Sequence, residues 1–130
     1  LIEESLEPAI RVKDTKLFQV AKELKEDFGL DFLADLTAVD PEEDLLRGVY
    51  HLVSWKPYRQ LRIEVDVPRE NPWLPSLTGL WLAADVQERE VYDMFGIIYD
   101  GHPNLTRILL SETFEGYPLR KDFVVESRRK

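Results

Sequence analysis

The sequence predicts an α+β fold: a single domain with helices packed on a mostly antiparallel sheet, ending in an extended C-terminal tail. Three observations predict it. Leu17, Val20, Ala21, Leu24 and Phe28 recur at helical spacing and form one apolar stripe. Leu61, Ile63, Val65 and Val67 alternate with Arg62, Glu64 and Asp66, the period of a sheet with one wet face. No linker or internal repeat divides the 130 residues, a length suited to one hydrophobic core. Residues 1–130 are therefore read as one domain, with a core over about 10–110 and a tail over 111–130.

Taken in order, Asp14 is placed to cap a helix running to about Phe28, and Gly29 to stop it. Lys16, Lys22, Glu23, Lys25 and Glu26 cover its wet side. Residues 30–39 read as a buried strand with Phe32, Ala34, Leu36 and Ala38 on one face. Asp40-Pro41 with Glu42, Glu43 and Asp44 makes an acidic turn. Residues 49–55 and 61–67 form a hairpin joined by Lys56-Pro57-Tyr58-Arg59, and Pro68 ends its second strand. Asn71-Pro72-Trp73-Leu74-Pro75 is stiff and irregular, and Ser76 caps a short turn through Leu80. A second helix runs over about 83–95 and stops at Gly96, followed by a brief strand over 97–99. Asp100-Gly101-His102-Pro103 is a turn. Beyond Leu110 no period remains, which predicts extended chain.

Composition narrows the function. The net charge of -8, from 25 acidic against 17 basic residues, disfavours nucleic acid, whose binding rests on clustered Lys and Arg. Zero cysteines exclude thiolate-held iron–sulfur clusters, cysteine zinc sites and disulfides. The lack of disulfides fits a reducing cytoplasm. No uncharged apolar run is long enough for a membrane span, so membrane work would need another subunit as anchor.

The densest polar cluster, Gln87-Glu88-Arg89-Glu90-Val91-Tyr92-Asp93, falls on the second helix. At 100° per residue, Ala83, Ala84, Val91, Met94 and Phe95 form its apolar arc, with Gln87 inside and Glu88 and Glu90 at the edges. Asp85, Arg89 and Asp93 fall on the far side as an acid–base–acid ladder. One reading is an amphipathic helix with a salt-bridged outer face; the other is a polar cluster whose partners come from a second protein. A two-carboxylate hydrolase fits poorly, because Glu88 and Glu90 diverge by about 200° and cannot face one bond. Glu90 and Asp93 are better spaced but have no Ser, Cys or His nucleophile nearby in sequence.

His51, inside a strand, reads as a packing or exposed strand residue, and His102 as a turn-holding or interface residue. Neither has metal-ligand spacing. Trp73, flanked by prolines, is the aromatic placed to anchor a partner, whereas Trp81, Tyr92, Phe95 and Tyr99 suit the core. Tyr117-Pro118-Leu119-Arg120-Lys121-Asp122-Phe123 reads either as a solvated tail or as a segment docked on a neighbour.

Glu88-Arg89-Glu90-Val91-Tyr92-Asp93-Met94-Phe95-Gly96-Ile97, followed by Gly101-His102-Pro103 and Arg107-Ile108-Leu109, resembles the signature of the C subunit of proton-pumping NADH:quinone oxidoreductase. The block 116–123 and the approach Pro68-Arg69-x-Asn71-Pro72-x-Leu74-Pro75-Ser76 extend the resemblance over 17–123. The mitochondrial counterpart in respiratory complex I and the J subunit of the photosynthetic NDH complex are similar. Asn104, Thr106 and Tyr99 depart from the family pattern and leave the branch open, since complex I-related hydrogenases and deazaflavin-linked dehydrogenases carry similar subunits.

The resemblance implies a cofactor-free scaffold in the peripheral arm, on the cytoplasmic side of the cell membrane. Flavin and iron–sulfur clusters would lie on partner subunits, and the chain would clasp the D subunit near the quinone site. On that analogy Glu88, Arg89, Glu90, Tyr92, His102 and Arg107 shape the contact, and Arg120, Lys121 and Asp122 wrap the partner; the residues themselves add Trp73 as an anchor, and Leu119 and Phe123 as apolar side chains suited to docking. No catalytic, cofactor or metal residue is expected on this chain. A stand-alone hydrolase on the acidic helix, and a small-ligand module around Trp73 and Trp81, are the readings from other classes.

Overall fold

The computed structural model describes residues 8–124. In chain order they form β1 (Ala9–Arg11), a 3-10 turn (Asp14–Lys16), α1 (Leu17–Glu26), β2 (Phe32–Val39), β3 (Leu45–Trp55) and β4 (Tyr58–Pro68). Then come β5 (Trp73–Pro75), α2 (Ala84–Phe95) and β6 (Ile98–Asp100). The main sheet has the order β1-β4-β3-β2, antiparallel except for β1, which runs parallel to β4. β5 and β6 pair in parallel as a small second sheet. This is the α+β domain the sequence predicts.

The hairpin owes its regularity to alternation. Ile63, Val65 and Val67 of β4 and Leu46, Tyr50 and Leu52 of β3 are buried on the helix side. Arg47 and Asp66, paired across the strands, stay on the other face with Nε–Oδ1 at 2.7 Å. Each core aliphatic chain contributes roughly 1.5–3 kcal/mol by leaving water. Gly48 is part of this packing, because a Cβ there would lie 3.2 Å from Leu74 Cδ1 and 3.5 Å from Tyr50 Cε1. The hairpin is longer than predicted at both ends, and only Lys56-Pro57 lies between the strands.

The structure corrects four local expectations. β1 is absent from the sequence reading, since three residues carry no period. Asp14 opens the 3-10 turn and accepts the Thr15 N–H, so it caps neither that turn nor α1. In α1 Leu17 and Ala21 are buried and Leu24 packs partly buried against the core as expected, while Phe28 is exposed beyond Glu26. In β2 a register shift between Leu33 and Asp35 breaks the alternation, so Leu33 faces the core and Phe32 and Ala34 do not. Leu36 and Ala38 are buried as expected.

α2 lies against β2 and satisfies part of that strand's outer edge. The Leu36 N–H donates to Gln87 Oε1 at 2.7 Å, and Trp81 Nε1 donates to the Asp31 carbonyl at 3.0 Å. Such side-chain capping removes a template for strand addition. Gly96 ends α2 in the left-handed conformation, φ 79°, as its sequence position predicts.

Candidate functional site

The polar cluster of α2 distributes itself over three lines of the helix. The inner line, Ala84, Glu88, Val91 and Phe95, is buried. Glu88 reaches the turn before α2, where Ser76 Oγ donates to Oε1 and the Leu77 N–H to Oε2, both at 2.7 Å. Burial raises its pKa above the ordinary carboxylate value, outweighing the two hydrogen bonds. The fully buried Tyr50 and Tyr99 hydroxyls have no hydrogen-bond partner among the described residues. Burial, with Glu88 adding repulsion, pushes both well above 10.

The second line is Asp85, Arg89 and Asp93, expected as an exposed salt-bridged ladder. The structure overturns that expectation, because the chain's own segment 102–110 lies along it. His102 Nε2 sits 3.0 Å from Asp85 Oδ1 and 2.9 Å from the Asp85 carbonyl. The Asn104 N–H donates to His102 Nδ1, so the proton is assigned to Nε2, which donates to Asp85. Arg89 donates to the Thr106 carbonyl and hydroxyl, both at 3.1 Å, and to the Arg107 carbonyl at 3.4 Å.

Asp93 is fully buried where this segment closes. Its Oδ2 accepts the N–H groups of Ile108, Leu109 and Leu110 at 3.1, 2.6 and 3.0 Å, and its Oδ1 accepts Arg107 Nη1 at 3.0 Å. Burial alone would raise its pKa, but the three amides and the Arg107 charge together lower it. A hydrolase reading needs Asp93 or Glu90 raised, and Asp93 shifts the other way.

The third line, Leu82, Val86 and Glu90, faces solvent. Leu82 is 89% and Val86 49% exposed. Glu90 is exposed, whereas the sequence places it at the edge of the apolar arc. Among the described residues Glu90 has no hydrogen-bond or ion-pair partner. Leu82 and Val86 are the interface candidates that sequence reading missed. Their four-residue spacing outside the core arc is the signal that could have found them.

The C-terminal block folds back on its own domain. The Leu119 N–H donates to the Met94 carbonyl and Arg120 Nε to the Phe95 carbonyl, at 3.0 and 2.7 Å. The Tyr117 ring covers Gly96, where a Cβ would lie 2.8 Å from it, and is 6.3 Å from the half-buried Tyr92 ring. Arg107 and Arg120 lie over Tyr117, 4.9 and 5.5 Å from its centroid. Arg107 also donates to the Gly116 carbonyl at 2.8 Å. Phe123 stacks on Phe114 at 6.1 Å.

Further along, the Lys121 N–H donates to Asp40 Oδ2 at 2.7 Å, and Asp122 pairs with Arg69 at 3.3 Å. Lys121 Nζ pairs with Glu42 at 3.3 Å. Asp40 is buried beneath this contact, hydrogen-bonded by Arg69 and by the Glu42 N–H. Burial works to raise its pKa, but Arg69 and the two amides lower it from 3.8 to about 2. In sequence Asp40 reads only as part of a turn and Arg69 only as part of the family resemblance, since nothing local joins position 40 to position 121.

Of the other candidates, Leu119 and Trp73 stay exposed, at 54% and 42%, with Trp73 opposite Ile98 in the small sheet. His51 lies half-buried, 3.7 Å from Asp35. Residues 125–130 of the expected tail lie outside the described residues. No helix among the described residues is long and apolar enough to cross a membrane.

Residues 10–129 match the family described as respiratory-chain NADH dehydrogenase, 30 Kd subunit. The C subunit of NADH-quinone oxidoreductase from Moorella thermoacetica is 49% identical over 121 residues, 92% of this chain and 82% of that protein. Its namesake from Salinispora arenicola is 43% identical over 90% of this chain, which spans 50% of that relative's length. Among solved structures, a trypsin-resistant fragment of Nqo5 superposes with a TM-score of 0.66 at 36% identity, over 75% of this chain and 81% of that one. A chain of an archaeal membrane-bound sulfane sulfur reductase superposes with a TM-score of 0.80 at 25% identity, over 95% of this chain and 75% of that one.

Proposed function

The chain belongs to the respiratory-chain NADH dehydrogenase 30 kDa subunit family, and on that premise we propose that it is a cofactor-free scaffold in the peripheral arm of NADH:quinone oxidoreductase. In this reading it sits on the cytoplasmic face of the membrane and docks on the D subunit near the quinone site. There it supports electron transfer from NADH to quinone coupled to proton translocation. The observation that carries the reading is the family match over 10–129 together with 49% identity to the Moorella thermoacetica protein.

The chemistry of the chain supports a scaffold. It has no cysteine to hold an iron–sulfur cluster. Its buried carboxylates are spent on structural contacts: Asp93 and Asp40 hold the 107–121 stretch through backbone amides and arginine, and Glu88 holds Ser76 and Leu77. Flavin and iron–sulfur groups belong on partner subunits in this reading.

A second reading, a component of a related respiratory membrane complex with another electron donor, is favoured by the sulfane sulfur reductase match over 95% of this chain. Co-expression with the D subunit separates scaffold from catalyst. The expected result is a stable complex, with no NADH oxidation by the isolated chain. Membranes lacking the chain should lose NADH-driven quinone reduction and regain it when the chain is restored. Turnover by the isolated chain, or no effect of its removal, would refute the proposal. Restoration with hydrogen or a sulfane sulfur acceptor in place of the NADH-quinone couple would favour the second reading.

A further inference from the structure

We infer that the uncovered line of α2, Leu82-Val86-Glu90, is a docking ridge for an amphipathic helix of the partner subunit, one that carries aliphatic side chains followed by a Lys or Arg. The inference rests on the scaffold reading and deepens it by assigning the contact and its chemistry.

On a single helix, residues four apart lie about 40° apart in angle and about 6 Å apart in height, so these positions form a slanted ridge. The Leu82 carbonyl accepts the Asp85 N–H at 3.0 Å, which brings Leu82 into the first turn although α2 begins at Ala84. Of the other lines, one is buried in the core and the next is covered by segment 102–110. Among the described residues nothing covers the ridge, and its upper half is aliphatic. At 89% exposure Leu82 contributes little to the fold, and Val86, at 49%, leaves about half of its surface in water.

Charge then selects the occupant. Arg89 is the one basic residue of α2, and it is turned onto Thr106 and Arg107. Arg107 in turn is held by Asp93 and the Gly116 carbonyl. The ridge therefore presents Glu90 without a cation among the described residues, on a chain of net charge -8. A cation one helical turn beyond the aliphatic contacts would meet it. An acidic or neutral helix would leave that carboxylate unpaired at the rim. The i, i+4 spacing is the row that a partner helix receives between its own side-chain ridges.

The test uses the whole chain and its co-expressed D subunit, with affinity measured at low and moderate salt. Leu82→Glu and Val86→Glu should each weaken binding about tenfold or more, because a charge replaces an apolar contact at the centre of the face. Glu90→Lys should weaken it similarly, and Glu90→Gln should flatten the salt dependence. Glu26→Lys, a charge change on α1 away from the ridge, should leave binding unchanged. The chain lacks cysteine, so Val86→Cys gives a single thiol whose reactivity should fall in the complex, independently of any folding defect.

If the wild-type complex forms but both glutamate variants bind normally, or the Val86→Cys thiol stays reactive, the ridge assignment falls and the scaffold reading stands. Failure of the wild-type chain to bind the D subunit overturns both. Protection of the thiol by self-association of the free chain would assign the ridge to a second copy and overturn the inference.

Discussion

Replacing Asp93 by Asn should destabilise the domain by about 3 kcal/mol, a larger effect than its single-atom change suggests. One Asp93 oxygen collects three backbone N–H groups and the other faces the Arg107 guanidinium at 3.0 Å. An Asn amide has one acceptor oxygen. If that oxygen keeps the amides of Ile108, Leu109 and Leu110, the NH2 group points a donor at a donor. Breaking a buried ion pair by removing one partner costs about 3–5 kcal/mol. Arg107 keeps its bond to the Gly116 carbonyl and its side chain is 9% exposed, so it retains some solvation and the lower end applies. Urea unfolding at neutral pH, followed by tryptophan fluorescence, gives the free energy. Native-state hydrogen exchange should show faster exchange at 108–110, with β3 amides keeping most of their protection. Adding Arg107→Met should recover part of the loss, since the stranded cation is gone. A loss below about 1 kcal/mol with full protection at 108–110 would refute the argument that Asp93 organises this segment.

Glu88→Gln should cost less than about 1 kcal/mol at neutral pH, because the neutral amide removes a buried charge without a cation and can donate to Ser76 while accepting from Leu77. Thermal melts of Glu88→Gln and Glu88→Leu test this, the second being clearly less stable because it strands the Leu77 N–H. Gly96→Ala should destabilise by about 2 kcal/mol or more, from the left-handed φ and the clash with Tyr117. The double variant Gly96→Ala, Tyr117→Ala should then be less than additive. Acid should loosen the C-terminal block through Asp40, whose folded pKa is depressed. Its contribution, about 2 kcal/mol, is present above its unfolded value of 3.8 and is lost as pH falls through about 2. Asp93, also depressed, loosens in the same sense. Hydrogen exchange at Lys121 compared between pH 5 and pH 2.5, corrected for intrinsic rates, checks it; constant protection would count against Asp40 as the anchor.

The sequence by itself determined whatever one local period or one local breaker could carry. The alternation from Leu61 to Val67, the stripe around Leu17 and Ala21, and the stop at Gly96 depend on neighbours within a turn or a strand. Residue spacing alone therefore fixes them. The family could be read in the same way, because the block from Glu88 to Ile97 is contiguous. Tertiary structure decided the rest. Asp93 and Arg89 look like members of an exposed ladder until segment 102–110 lies over them, and no helical angle can announce a covering segment from elsewhere in the chain. Glu88, at the edge of the arc, is buried because Ser76 and Leu77 supply donors for it. Asp40 becomes an anchor only when Arg69 and Lys121 arrive from 29 and 81 residues away. A charged side chain is exposed or buried according to which partners reach it, and those partners are set by the closing of the fold. Among the described residues, the same closing leaves Leu82, just before α2, and Val86 and Glu90 on it as the line that no other segment covers.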